Sequence, residues 1–136
     1  MPEAPPLTGT TLRLLLLRCR CGEERLSRHG AVAPLAAEAV RACDMTPLAQ
    51  AGHDFPGAGH SLCLILAESH LALHTYPECD RSVVLELTVC DHQRQNRQRA
   101  TQLAEALVAL FLPEETRGEL LPMCPGQGPA EPWPRG

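Results

Sequence analysis

Apolar positions along the chain fall into short runs bounded by turn residues, with two longer stretches at helical spacing. Thr10 to Arg20, which contains the run Leu14 to Leu17, reads as a buried strand. The alanine-rich segment 31–43 reads as a helix, where Pro34 is tolerated because it falls in the first turn. A Pro/Gly-rich loop, His53 to Gly59, leads into Ser61 to Ala67; that run, 70–76 and 82–90 are short, rich in Leu and Val and bounded by turn residues, as sheet strands are. Over 97–112, Leu103, Leu107, Leu110 and Phe111 recur at helical spacing before Pro113 ends the element. The order strand, helix, several strands, helix predicts an α+β two-layer sandwich, with helices on one face of a mostly antiparallel sheet.

A chain of 136 residues makes one domain with a real core, and 44% apolar residues suit a globular protein. Residues 1–9 and 122–136 are rich in Pro and lack periodicity, so the expected folded core is about 10–121 with a loosely held tail at 122–136. Aromatics are only 3%, so Leu, Val and Ala must build the core. The net charge of -4 and the scattered arginines give no footprint for nucleic acid. The Leu14 to Leu17 run is too short to span a bilayer, so no membrane anchor is expected. Seven cysteines without regular spacing, and no secretory segment before them, point to a reducing cytoplasm.

All twelve basic residues are arginine. Pyridoxal phosphate chemistry needs a lysine for its internal Schiff base, so that cofactor is excluded. No compact His/Cys/Asp set suggests a metal.

Candidate chemistry concentrates in the middle of the chain. Glu68-Ser69-His70 is followed by His74-Thr75-Tyr76-Pro77-Glu78; Ser61 stands eight residues before Ser69 in Gly59-His60-Ser61; and Glu86 to Cys90 forms an acidic-x-x-x-Cys unit. A serine hydroxyl beside a peptide carbonyl, with a histidine near in sequence, is the equipment for attack on the chain's own backbone.

Taken in order, these segments resemble the bacterial S-adenosylmethionine decarboxylase proenzymes. There Glu-Ser-His is the self-cleavage tripeptide, and His-Thr-Trp-Pro-Glu and Asp-x-x-x-Cys follow. The resemblance spans about residues 53–90. It implies scission between Glu68 and Ser69 into 1–68 and 69–136, with Ser69 becoming a pyruvoyl group that binds substrate as a Schiff base. It further implies His74 as the processing base, Ser61 as a hydrogen-bond donor to the processing intermediate, and Cys90 as the proton donor in turnover. Phe55 would stack on adenine and Glu78 would bind the ribose hydroxyls, with Tyr76 standing beside them where the family has tryptophan.

One extra residue falls among Cys79-Asp80-Arg81-Ser82, and Gly9-Thr10-Thr11 replaces the family's Gly-Arg-His. The implied activity is a pyruvoyl-dependent decarboxylase of S-adenosylmethionine serving spermidine synthesis, without pyridoxal phosphate or metal. Ornithine or arginine is the alternative substrate, and an unprocessed binding or regulatory subunit is the alternative from another class. The family also implies a homodimer whose site draws residues from both protomers, with a small amino-acid-type substrate as the other partner.

Neighbouring residues read more simply. His70 alternates to the strand face opposite Ser69 and is expected to pack or hydrogen-bond. His53 and His60 read as loop residues, Cys43 and Cys63 as core, and Cys79 as a buried or turn thiol. Cys19-Arg20-Cys21 reads as alternation on a strand, and Arg94, Arg97 and Arg99 as a solvated helix start.

Overall fold

The computed structural model describes residues 7–134, so the expected loose segment at residues 1–6 and the last two residues of the tail lie outside the described residues. Strands β1 (Gly9–Leu17), β2 (Pro47–Asp54), β3 (His60–Leu66), β4 (Ser69–Tyr76), β5 (Ser82–Cys90), β6 (Glu115–Pro122) and β7 (Glu131–Pro132) form one sheet in the order β2-β3-β4-β5-β1-β6-β7. Every pairing is antiparallel. Helices α1 (Glu23–Ser27), α2 (Ala33–Ala42) and α3 (Arg97–Phe111) complete the α+β sandwich.

Strand alternation decides which face the helices cover. Leu12, Leu14 and Leu16 of β1, Leu62 and Leu64 of β3, Leu71 and Leu73 of β4, and Leu85 and Leu87 of β5 are buried. They meet Ala36 and Val40 of α2 and Leu103, Leu107 and Phe111 of α3 in one core cluster. The alternate residues, including Arg13, Ile65, Ala72, Val84 and Glu86, line the opposite face, which no helix among the described residues covers. Ile65 and Val84 are 47% and 39% exposed there, so the open face has an apolar centre.

Several local expectations change. The first strand stops at Leu17 because Arg18 adopts φ 50, a left-handed turn. Cys19 and Cys21 therefore do not alternate on a strand, and both are buried. Burial, and then the neighbouring Cys21, push the Cys19 thiol up to about 11. The second helix starts at Ala33 after a 3-10 turn, with Pro34 in its first turn. His53 and His60 belong to strands β2 and β3, not to a loop. Cys63 lies on the open face and is only partly buried, Cys43 packs on the rim of the core, and Cys79 is exposed in the β4–β5 turn. The helix-start arginines are paired: Arg94 with Asp44 and Arg97 with Glu131, each at 2.7 Å. Beyond residue 121 the chain returns to the sheet as β7, and Trp133 is buried against the core.

Candidate functional site

The predicted site residues gather in two clusters at opposite ends of the sheet. The first is at the β3–β4 hairpin, where Ala67 and Glu68 form a two-residue turn and Leu66 pairs with Ser69. Thr46 clamps this turn from one side: its N–H donates to Glu68 Oε1 at 3.1 Å, and its carbonyl accepts the Ala67 N–H at 2.9 Å. From the other side the Cys90 N–H donates to the Glu68 carbonyl at 2.8 Å. That carbonyl belongs to the peptide joining Glu68 to Ser69.

Ser69 has φ 150. The other positive-φ residues with side chains lie between φ 50 and 59, in the ordinary left-handed well. Ser69 instead occupies territory that is almost exclusively glycine's, at a cost of order 1–3 kcal/mol. The strained bond is the one immediately after the Glu68–Ser69 peptide. Strain and a polarised carbonyl thus meet at the same peptide.

The second cluster lies where β3 begins and β4 ends. Ser61 and His74 are direct partners across the two strands, and Ser61 Oγ lies 2.7 Å from His74 Nδ1. In the tautomer where Nδ1–H donates to Ser61 Oγ, Nε2 keeps a free lone pair and the serine O–H remains available to another acceptor. Phe55, 47% exposed, sits in the adjoining β2–β3 turn with its ring edge on His53, centroids 4.8 Å apart. Asp54 anchors that turn by accepting from the His29 N–H at 2.8 Å, and this backbone bond, followed by the His29 ring at 2.7 Å, lowers its carboxyl below the usual range. Tyr76 and Glu78 are exposed beside His74 at the same end.

Gly59 makes this corner possible, since a Cβ there would stand 2.0 Å from the Thr75 carbonyl oxygen. The next residue, His60, is 1% exposed. It donates its N–H to Thr75 Oγ1 at 2.8 Å, and its Nε2 lies 2.8 Å from the Arg25 carbonyl. Burial lowers its pKa, and because the Arg25 carbonyl can only accept, Nε2–H is the donor.

Ser69 and His74 stand five positions apart on β4. At about 3.3 Å per residue that is roughly 16 Å, far beyond the reach of one imidazole. His70 lies on the open face and Ser69 on the other by register, with His70 Nε2 3.9 Å from Glu86 Oε1. The β4–β5 turn carries two successive left-handed residues, Asp80 and Arg81. Arg81 fastens this turn to the core edge by donating to the carbonyls of Cys19 and Cys21.

Sequence reasoning missed the Cys90 N–H and Thr46, because backbone donors carry no side-chain signature. It also missed Asn96, whose position just before a helical repeat is a readable cap signal but whose bond to Cys90 is not. Among the described residues, no group of three or more His, Cys, Asp or Glu is placed to hold a metal ion, and no helix is long and apolar enough to cross a membrane.

This sheet, backed by helices and carrying a strained serine in its β3–β4 hairpin, has the fold of the adenosylmethionine decarboxylase from Aquifex aeolicus. The TM-score is 0.71 with 18% identity, over 82% of this chain and 87% of that one. The model of the family described as S-adenosylmethionine decarboxylase matches residues 14–115, and the chain belongs to that family. It is 30% identical over 88 residues to an S-adenosylmethionine decarboxylase proenzyme of Clostridium botulinum, covering 65% of this chain and 75% of the relative. A Pseudomonas aeruginosa proenzyme of the same description is 29% identical over 102 residues, which cover 75% of this chain and 63% of that protein.

Proposed function

We propose that this chain is a self-processing, pyruvoyl-dependent decarboxylase whose substrate is S-adenosylmethionine. The observation that carries the reading is the Glu68–Ser69 peptide, whose carbonyl is already held by the Cys90 N–H at 2.8 Å and whose serine is strained at φ 150. A donor at that distance lies within the range that stabilises an oxyanion. Both features lower the barrier to attack, the strain by raising the starting state and the donor by accepting developing charge.

In processing, Ser69 Oγ bonds to the Glu68 carbonyl carbon, the peptide C–N bond breaks, and the hydroxyl proton passes to the released amine. The chain is then joined through an ester. His74 takes the Cα proton of residue 69, the bond from Ser69 Cβ to the ester oxygen breaks, and Glu68 leaves as a carboxylate. Water replaces ammonia at the remaining unsaturated residue and leaves a pyruvoyl group. Ser61, with its O–H free while His74 holds its oxygen, donates to the oxygen that carries negative charge.

When formed, that group supplies the carbonyl that condenses with the substrate amine and withdraws the electrons released with carbon dioxide. The Cys90 thiol holds the proton for the reacting carbon, Phe55 offers a flat surface to adenine, and Glu78 accepts from the ribose hydroxyls.

The separation of roughly 16 Å along β4 means that one chain does not bring its own His74 to its own Ser69. A second copy solves this. Two sheets stacked by their open faces about a two-fold axis running across the strands set the β3–β4 hairpin of one against the His74 end of the other, and Ser69, half-buried as the first residue of β4, meets that contact from the sheet margin beside the turn rather than from within the open face. The exposed Ile65 and Val84 give that face the apolar centre that such a contact needs.

The test is release of labelled carbon dioxide from S-adenosylmethionine, ornithine and arginine by the processed protein. Turnover of S-adenosylmethionine, weakened in Phe55→Ala and Glu78→Gln, is the expected result. Turnover of a basic amino acid alone would overturn the substrate, and no turnover of any would leave a binding role in place of catalysis.

A further inference from the structure

The Cys90 peptide is held on both sides. Its N–H donates to the Glu68 carbonyl at 2.8 Å, and its own carbonyl accepts from Asn96 Nδ2 at 2.9 Å. We infer that Asn96 is a positioning residue for Cys90, fixing the strand end that carries both the N–H at the scissile carbonyl and the thiol. The inference rests on the proposed reaction, in which Cys90 serves twice.

Asn96 precedes α3 and is 3% exposed. An asparagine at this position ordinarily caps its helix, its side-chain oxygen accepting from a first-turn N–H. Asn96 makes no side-chain cap bond, and its Oδ1 is buried with no partner among the described residues. The orientation of the amide is fixed by chemistry: exchanging its oxygen and nitrogen would set an acceptor against the Cys90 carbonyl. The side chain has thus given up the cap and is committed to Cys90.

The surroundings make this a joint. The Asn96 N–H donates to Asp91 Oδ1 at 2.8 Å, and Thr8 Oγ1 donates to Asp91 Oδ2 at 2.7 Å. The Asp91 N–H in turn donates to the Thr8 carbonyl at 2.9 Å. Cys90 pairs with Gly9 at the start of β1, so Thr8, Asp91 and Asn96 tie the beginnings of β1 and α3 to the end of β5. Cys90 is the last residue of β5, where an unrestrained ladder frays. The Asn96 amide is the only side chain of the three that bonds Cys90 itself.

Asn96→Asp tests this, because it keeps the size and a capping oxygen while replacing the donor that faces the Cys90 carbonyl with an acceptor. Three readings are taken: hydrogen exchange at the Cys90 amide against amides in the middle of β5, the rate of self-cleavage, and the fraction of turnovers that end in transamination. The Cys90 amide is expected to exchange faster with the middle of β5 unchanged. Cleavage is expected to slow on the order of tenfold, as for a misplaced reacting group, and the transaminating fraction to rise several-fold. That partition does not depend on how much protein is folded.

Asn96→Ser keeps a capping hydroxyl but is too short to reach Cys90, and it replaces the Asp variant if that one does not fold. Wild-type exchange at Cys90 together with a wild-type partition in a folded variant overturns the assignment. A wild-type chain that never cuts refutes the proposed function instead, and unchanged Cys90 exchange in the variant then separately overturns the role of Asn96.

Discussion

Mixing two inactive variants asks whether Ser69 meets the His74 of another chain. Ser69→Ala lacks the hydroxyl proposed to attack, and His74→Ala lacks the base proposed to remove the Cα proton. General base catalysis needs a heavy-atom approach of roughly 3 Å, whereas the five residue steps from Ser69 to His74 along an extended strand impose roughly 16 Å. Neither variant alone is expected to complete scission. In a mixed pair, the His74→Ala chain supplies Ser69 and the Ser69→Ala chain supplies His74, so one of the two sites is whole. Random reassociation of equal amounts leaves about half of the His74→Ala chains in mixed pairs, so about half of that variant is expected to be cut while Ser69→Ala stays full length. Intact-mass spectrometry reads both variants in one sample, because their masses differ. An absence of cutting, once mixed pairs are shown to form, would refute assembly of the site across two chains. So would His74→Ala cutting alone at the wild-type rate.

Three further outcomes follow from the same geometry. Cys90→Ala keeps the backbone N–H on the Glu68 carbonyl, so it should retain cleavage yet lose most decarboxylation or divert to transamination; full decarboxylase activity would remove the thiol from the mechanism. Gly59→Ala drives a methyl group to 2.0 Å from the Thr75 carbonyl oxygen, which should cost roughly 1–3 kcal/mol and lower Tm; an unchanged Tm would show that the corner relaxes freely. Burial lowers the His60 pKa, opposed first by the bond to the Arg25 carbonyl and then by Asp54. The unfolded chain therefore binds the extra proton first, and His60 contributes stability that is present above about pH 6.5 and is lost as the pH falls below it. Urea midpoints should fall between pH 7 and pH 5, and fall less in His60→Gln; equal slopes in the two proteins would contradict this.

Strands β3, β4 and β5 and helix α3 could be read from the sequence because buried strands and an amphipathic helix write periodicity into it. Strand β2 could not. Its residues from Leu48 to Asp54 are all exposed at the sheet edge, so no alternation marks them, and the segment resembles a loop. The tail misled for a related reason: Pro and Gly mask a two-residue strand whose anchor is the single buried Trp133. The candidate site residues stand out in the sequence as motifs, but their geometry does not. A spacing of five positions from Ser69 to His74 suggests proximity on paper, whereas an extended strand turns it into a long separation. The strain at Ser69 and the two-sided hold on Cys90 depend on strand pairing across the sheet, which no local pattern records.

Intact mass of the purified wild-type protein tests the central claim most directly. Scission after Glu68 gives fragments 1–68 and 69–136, and since 136 − 68 = 68 both have the same number of residues, so a gel does not separate them as mass does. Two masses are expected, the second lighter by one ammonia than a fragment beginning with serine. A single full-length mass after prolonged incubation, with residue 69 still serine, would contradict it.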